Sequence, residues 1–187
     1  MNFNKIQKMT LGVSHNMPEK DRETLYCYAG QVLDDGTIVD IGTAGGNSAF
    51  VMALASKSSV KVYTIDPNRN ENFFFWREKL GLEEKITFIE KTSDDAIKDW
   101  KEPIDLLFID GEHAYSFVQR DIDNWLPYLK EDGKILFHDF YLYPTGVMLA
   151  VGEAIARKKI KPIKIVNSFD RDGRAISIFV GEKWQGT

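Results

Sequence analysis

Two short stretches carry the side chains best able to do chemistry. Asp110-Gly111-Glu112-His113 sets two carboxylates and an imidazole within one turn of chain, and His138-Asp139 sets a second imidazole beside another carboxylate. Carboxylates and imidazoles are ligands for divalent cations, and imidazole exchanges its proton near neutral pH. These residues therefore suit cation binding and proton transfer. A third stretch, Val39-Asp40-Ile41-Gly42-Thr43-Ala44-Gly45-Gly46-Asn47-Ser48, ends an apolar run in glycines. Glycine lacks a Cβ, so such a turn lets a ligand reach backbone N–H groups at a helix start. Spacing excludes two common users of that device. A dinucleotide G-x-G-x-x-G begun at Gly42 would need glycine in place of Ala44 and Asn47, and a Walker loop would need lysine after its second glycine. The turn alone does not name its ligand. Asp66 closes the next apolar run, where a carboxylate can accept two ribose hydroxyls; capping a strand end is its plainer role.

The elements that must position these residues follow from the apolar pattern. Buried runs at 37–41, 60–65, 85–89, 104–109 and 135–137 alternate with amphipathic stretches at about 47–57, 71–80, 94–100 and 115–129, as in a parallel sheet covered by helices on both faces. A further helix is expected over about 19–33. Runs at 162–166 and 175–180 are separated by too few residues for a parallel crossover, so they should pair as an antiparallel hairpin. The expectation is an α/β three-layer sandwich whose seven-stranded sheet is mostly parallel. Ligands of open α/β sheets bind beyond the carboxyl ends of the strands, which puts Asp66, Asp110, His113, His138 and Asp139 on one edge. Adjacent strand residues face opposite ways, so His138 and Asp139 can meet only if the chain turns between them. In the cluster Phe73-Phe74-Phe75-Trp76, helical spacing places Phe73, Trp76 and Leu80 on one buried stripe, leaving Phe74 or Phe75 to pack elsewhere. Tyr141 and Tyr143 follow Asp139 closely enough to border an acceptor pocket.

Composition sets the outer limits. The chain has 187 residues with 43% hydrophobic and 28% charged, an ordinary globular balance that fits one domain, 1–187, with 1–36 as a helical cap. Net charge is −4 and the basic residues are scattered among acids, which argues against a nucleic-acid partner. Cys27 has no internal partner for a disulfide, and no apolar run approaches the roughly 20 residues that span a bilayer. A cytoplasmic protein without membrane contact is expected, and the aromatic cluster on a short chain suggests a homodimer.

The segments VDIGTAGGNSAF, YTIDP, KTSDDA and FIDGEHAYSFVQRDIDNWLPYLKEDGKILFHDF together resemble class I methyltransferases dependent on S-adenosylmethionine (SAM). More narrowly, they are similar to cephalosporin hydroxylase-like proteins and macrolide sugar O-methyltransferases, over roughly residues 37 to 140. The resemblance implies a Rossmann-like sheet of order 3-2-1-4-5-7-6 with strand 7 antiparallel, and SAM as cofactor. It implies that the turn Gly42 to Ser48 holds the methionine portion, with Asp40, Gly42, Thr43, Gly46, Ser48 and Asp110 among the cofactor-binding residues, and that Asp66 holds the ribose, while Ser93 and Asp94 border the adenine. In the resembling sugar enzymes an aspartate matching Asp110 and an acidic pair at the fifth strand end bind magnesium, and a histidine matching His113 is the base. By that carry-over Asp110, His138 and Asp139 hold a cation beside the cofactor, while His113 and Asp110 are catalytic. This chain departs from the pattern at His138, where the relatives carry glutamate. Imidazole is a softer ligand, which makes manganese, iron or zinc more conceivable than in those relatives. The implied reaction is methyl transfer from SAM to a hydroxyl of a small molecule. The fourth strand ends in IDGEH and not in the Asn/Asp-Pro-Pro-aromatic turn of enzymes that methylate nitrogen. Two rivals share the glycine turn and Asp66: a SAM- or nucleoside-binding module without turnover, and an enzyme of the same fold with other chemistry.

Overall fold

The alternating runs fold into strands β1 (Thr37–Ile41), β2 (Lys61–Ile65), β3 (Ile86–Ile89), β4 (Ile104–Ile109), β5 (Leu129–Phe137), β6 (Ile160–Phe169) and β7 (Ala175–Lys183). They form one sheet of order β3-β2-β1-β4-β5-β7-β6. The first five strands pair in parallel, while β7 runs antiparallel to both β5 and β6. This is the sheet expected from the sequence. The structure, a computed structural model, describes residues 1–13, 17–141, 146–170 and 172–186.

Helices α1 (Phe3–Met9), α2 (Glu19–Ala29), α3 (Asn47–Ala55), α4 (Glu71–Lys79), α5 (Ser93–Ala96), α6 (Tyr115–Trp125) and α7 (Gly146–Ala156) cover the sheet. Side chains of a strand alternate between faces, so neighbours in β1 enter different cores. Ile38 packs with Leu25 of α2, Phe50 of α3 and Phe73 of α4, whereas Val39 joins Ile122 and Trp125 of α6 and Val151 of α7. The two cores sandwich the sheet. Among the described residues, no helix is long and apolar enough to cross a membrane.

Several boundaries differ from expectation for local reasons. α6 ends at Trp125 and continues only as a 3-10 turn containing Pro127, because proline lacks the N–H an α-helix needs. β5 starts at Leu129, since a register shift against β4 lets Leu129 pair with Ile104 and carries Asp132-Gly133 inside the strand. α7 was not anticipated, and α1 lies within the helical cap expected over 1–36, where the sequence gives bounds only to the helix at about 19–33. In α4, Phe73 is buried and stacks on Phe50, while Phe74 meets Phe88 edge-on with Arg69 over its ring. Trp76 meets the N-terminal segment at Gly12, where a Cβ would lie 2.2 Å from its ring. Phe75 remains exposed.

Candidate functional site

The glycine turn joins β1 to α3 and touches the end of β4. Gly42 has φ 101°, and a Cβ there would lie 2.1 Å from the carbonyl oxygen of Asp110. The missing side chain thus lets two strand ends meet, which sets Asp110 against the turn. Gly46, with φ 87°, is the residue before α3; a Cβ on it would strike Phe73 and Phe50. The backbone N–H groups of Thr43 and Ala44 donate to Asp66 Oδ2, both at 3.1 Å, and the N–H of Asn68 donates to Oδ1 at 2.8 Å. Asp66 therefore braces the turn from β2. Asp40 lies fully buried beneath it and accepts from the Ser48 and Thr64 hydroxyls at 3.0 and 2.9 Å. Its other oxygen has no hydrogen-bond partner. Burial pushes the Asp40 carboxyl up to about 8 against the opposing pull of those hydroxyls, so it is largely protonated at neutral pH.

Beside this turn stands the acid and histidine cluster. Asp139 adopts φ 51°, and this turn in the chain brings its carboxylate to the side that His138 occupies. His138 is 6% exposed; its Nδ1 lies 3.1 Å from Asp110 Oδ1 and 3.3 Å from Asp139 Oδ2. Its Nε2 lies 3.1 Å from Asp21 Oδ2, which also accepts a 2.8 Å hydrogen bond from the Ser168 hydroxyl. Burial opposes charge on His138, yet Asp110, with hydrogen bonds to Asp139 and Asp21, raises its pKa well above the usual histidine value. Burial likewise opposes charge on Asp110, and His138 and His113 outweigh it, holding that carboxyl below the ordinary range. Asp110 first, with Asp139, raises the pKa of His113. His113 Nε2 lies 3.3 Å from Asp139 Oδ2 and 3.7 Å from Asp110 Oδ1, in neither case as a formed hydrogen bond. Gly146 at the start of α7 permits this placement, since a Cβ there would come within 2.2 Å of the His113 carbonyl oxygen.

Asp110, His113 and Asp139 each offer one ligand atom, all within 4.8 Å of one another. The sequence reading makes Asp110, His138 and Asp139 the ligands and His113 the base. His138 also turns its Nδ1 to Asp110 and Asp139, while Asp21, a buried carboxylate from α2, takes its Nε2. Buried, orphaned His113 Nε2 facing two carboxylates fits a divalent cation.

One cavity of about 370 Å³ joins the two parts of the site, with Gly42, Thr43 and Ser48 on one wall and Asp110, His113 and Asp139 on another. Its volume and the α3 N-terminus at its edge fit a cofactor bearing a carboxylate, because unpaired N–H groups and the helix dipole attract anions there. Asp66, Ser93 and Asp94 are not in its lining. The Ser93 hydroxyl donates to Asp121, whose carboxyl burial pushes up to about 6, and Asp94 pairs with Arg120 at 3.1 Å and accepts from Asn124. Tyr141 meets Phe140 at a tilt outside the lining, and Tyr143 lies outside the described residues. Sequence reading missed Asp21, Met17, Asp170, Arg174 and Ile176. For Asp21 a signal existed: with Leu25 and Ala29 it repeats every four residues, so it shares their buried face.

The same architecture occurs in an O-methyltransferase from Bacillus cereus solved in complex with S-adenosylhomocysteine, at TM-score 0.77 and 14% identity over 98% of this chain and 92% of that one. An rRNA methylase from Streptococcus thermophilus is similar at TM-score 0.69 and 19% identity, over 87% of this chain and 95% of that one. At such identities the likeness is one of fold, and the fold is that of the class I SAM-dependent methyltransferases. The chain belongs to the methyltransferase-domain family, which matches residues 39–140, and SAM is the cofactor of that family. Among curated relatives, uncharacterized protein R132 of Acanthamoeba polyphaga mimivirus is 33% identical over 135 residues, 66% of this chain. Uncharacterized protein y4gI of Sinorhizobium fredii is 29% identical over 116 residues, 54% of this chain. The matches span 61% and 13% of those relatives' own lengths.

Proposed function

We propose that this chain transfers the methyl group of SAM to a hydroxyl of a small molecule, with a divalent cation held by Asp110, His113 and Asp139. The observation that carries this reading is the single cavity walled by the glycine turn and by those three residues. In the reaction the methyl group moves from sulfur to oxygen, and the hydroxyl proton must leave. SAM supplies an electrophilic methyl on a positively charged sulfur, and a divalent cation lowers the pKa of a hydroxyl it touches.

The remaining work falls to the chain. Thr43, Gly46 and Ser48, at the start of α3, receive the carboxylate end of the cofactor. Asp66, which braces the turn, is the acceptor assigned to the ribose hydroxyls, and Asp40 supports the turn from below; Ser93 and Asp94 take the adenine side. His138 orients Asp110, so that its carboxylate faces His113 and Asp139. Holding acceptor and donor in line inside one cavity supplies proximity and orientation. A second reading makes His113 the proton acceptor; it lines the cavity, its side chain is 38% exposed and its Nε2 has no hydrogen-bond partner. A net charge of −4 favours a small acceptor over nucleic acid. Residues 1–187 are read as one domain, because Ile6 of α1 and Leu25 of α2 enter the same core as α3.

Calorimetric titration of metal-stripped protein tests the reading. SAM should bind, Asp66→Ala should weaken it, and manganese added with S-adenosylhomocysteine should bind at a site lost in Asp139→Ala. Absence of SAM binding overturns the function, and SAM binding without cation binding removes the metal. His113→Ala separates the two roles: lost cation affinity makes it a ligand, whereas retained affinity with lost turnover makes it the base.

A further inference from the structure

A second cavity, about 590 Å³, lies between α1, the start of α2 and the end of β6, and it shares Met17 and Asp170 with the first. Arg22 lines it. Arg22 is 7% exposed, and its Nη2 donates to the Thr10 hydroxyl at 2.8 Å, a neutral partner. Its Nε has no hydrogen-bond partner. A guanidinium keeps its charge in proteins and carries five N–H donors, so a buried one facing a neutral hydroxyl and a cavity is undercompensated. Elsewhere in the lining Asp170 accepts from Arg174 Nε at 2.7 Å, and Glu19 acts on Arg22 through space. The Arg22 Nε is left without an acceptor, beside the apolar surfaces of Met17, Leu11 and Phe169, the last 64% exposed.

We infer that this second cavity anchors the methyl acceptor, and that the acceptor is a monocarboxylic acid whose carboxylate sits on Arg22. The planar fork of arginine matches a carboxylate in two parallel hydrogen bonds. One carboxylate gives the Arg22 Nε its missing acceptor, whereas a dianionic phosphate would add a second negative charge beside Glu19 and Asp170. The apolar body of the acid then lies along Met17 and Phe169, and its hydroxyl is directed to the first cavity past Met17 and Asp170, which line both. The assignment of the hydroxyl rests on the methyl-transfer reading; the carboxylate site stands on Arg22 alone.

The test compares 3-(4-hydroxyphenyl)propionate with its primary amide, an uncharged analogue of the same shape, by calorimetry without added metal, with and without S-adenosylhomocysteine. The acid should bind at least about tenfold more tightly than the amide, and Arg22→Gln should abolish that difference while leaving affinity for S-adenosylhomocysteine unchanged. Phe169→Glu, at an exposed position on the same wall, provides a variant whose folding does not depend on Arg22; it should weaken the acid about tenfold and the amide less than threefold. Equal binding of acid and amide by the unaltered protein, or discrimination that survives both substitutions, overturns the inference. Displacement of the acid by inorganic phosphate at lower concentration than by acetate overturns the choice of carboxylate. Loss of S-adenosylhomocysteine binding with acid discrimination intact would sink the methyl-transfer reading and leave the anion site standing.

Discussion

Asparagine in place of Asp21 removes the charge that reaches His138 from α2 while keeping the shape of the side chain. Asp21 is fully buried, with Oδ2 3.1 Å from His138 Nε2 and 2.8 Å from the Ser168 hydroxyl. Two unit charges at that separation attract by about 5 kcal/mol at an effective dielectric of about 20. Part of this offsets the cost of burial, but removing one partner of a buried pair typically costs about 3–5 kcal/mol, because the other charge is left behind. In a chain of this size each kcal/mol lowers Tm by roughly 2–4 °C, so Asp21→Asn should lower it by roughly 6–20 °C. The sign of the pH dependence is fixed by His138. Its folded pKa is raised well above 6.5, with burial opposing and Asp110, Asp139 and Asp21 prevailing. Its charge therefore stabilises the fold fully below pH 6.5, and that stabilisation is lost as pH rises through the folded value. The deficit of Asp21→Asn should be largest near about pH 6 and shrink in alkali. Thermal and urea unfolding of both proteins across pH measures it. A deficit below about 1 kcal/mol at about pH 6, or one that does not change with pH, would refute the buried ion pair.

Gly42→Ala should cost about 1–3 kcal/mol in strain, since φ is 101°, and should also push Asp110 away from the turn, because the new Cβ starts 2.1 Å from its carbonyl oxygen. Unfolding measurements paired with S-adenosylhomocysteine titration check this, and unchanged values in both would contradict the close approach. Asp40→Asn removes an acid whose carboxyl burial pushes up to about 8 from 3.8. The unaltered protein should lose stability as pH rises between those two values, where the unfolded chain ionises and the folded one resists, while the variant should lose less. Parallel stability curves for the two proteins would show that Asp40 is not the buried, protonated group described.

How much of this was legible beforehand follows from what a sequence encodes. Alternating buried and amphipathic runs set the faces of strands and helices, and the short 167–174 link forced the last two strands to reverse, while the strand order followed from the family resemblance, and the sheet has both. Asp110, His113, His138 and Asp139 could be placed at one sheet edge because β4 and β5 end there. Short-range rules go no further. Asp21 and His138 meet across 117 residues, and that contact takes the Nε2 of the buried imidazole and leaves its Nδ1 to Asp110 and Asp139. The positive φ of Asp139 and the contact of Gly42 with Asp110 are likewise products of packing. Periodicity fixes which face a residue presents, but the partner it meets on that face depends on how distant elements dock, and only the closed tertiary structure contains that.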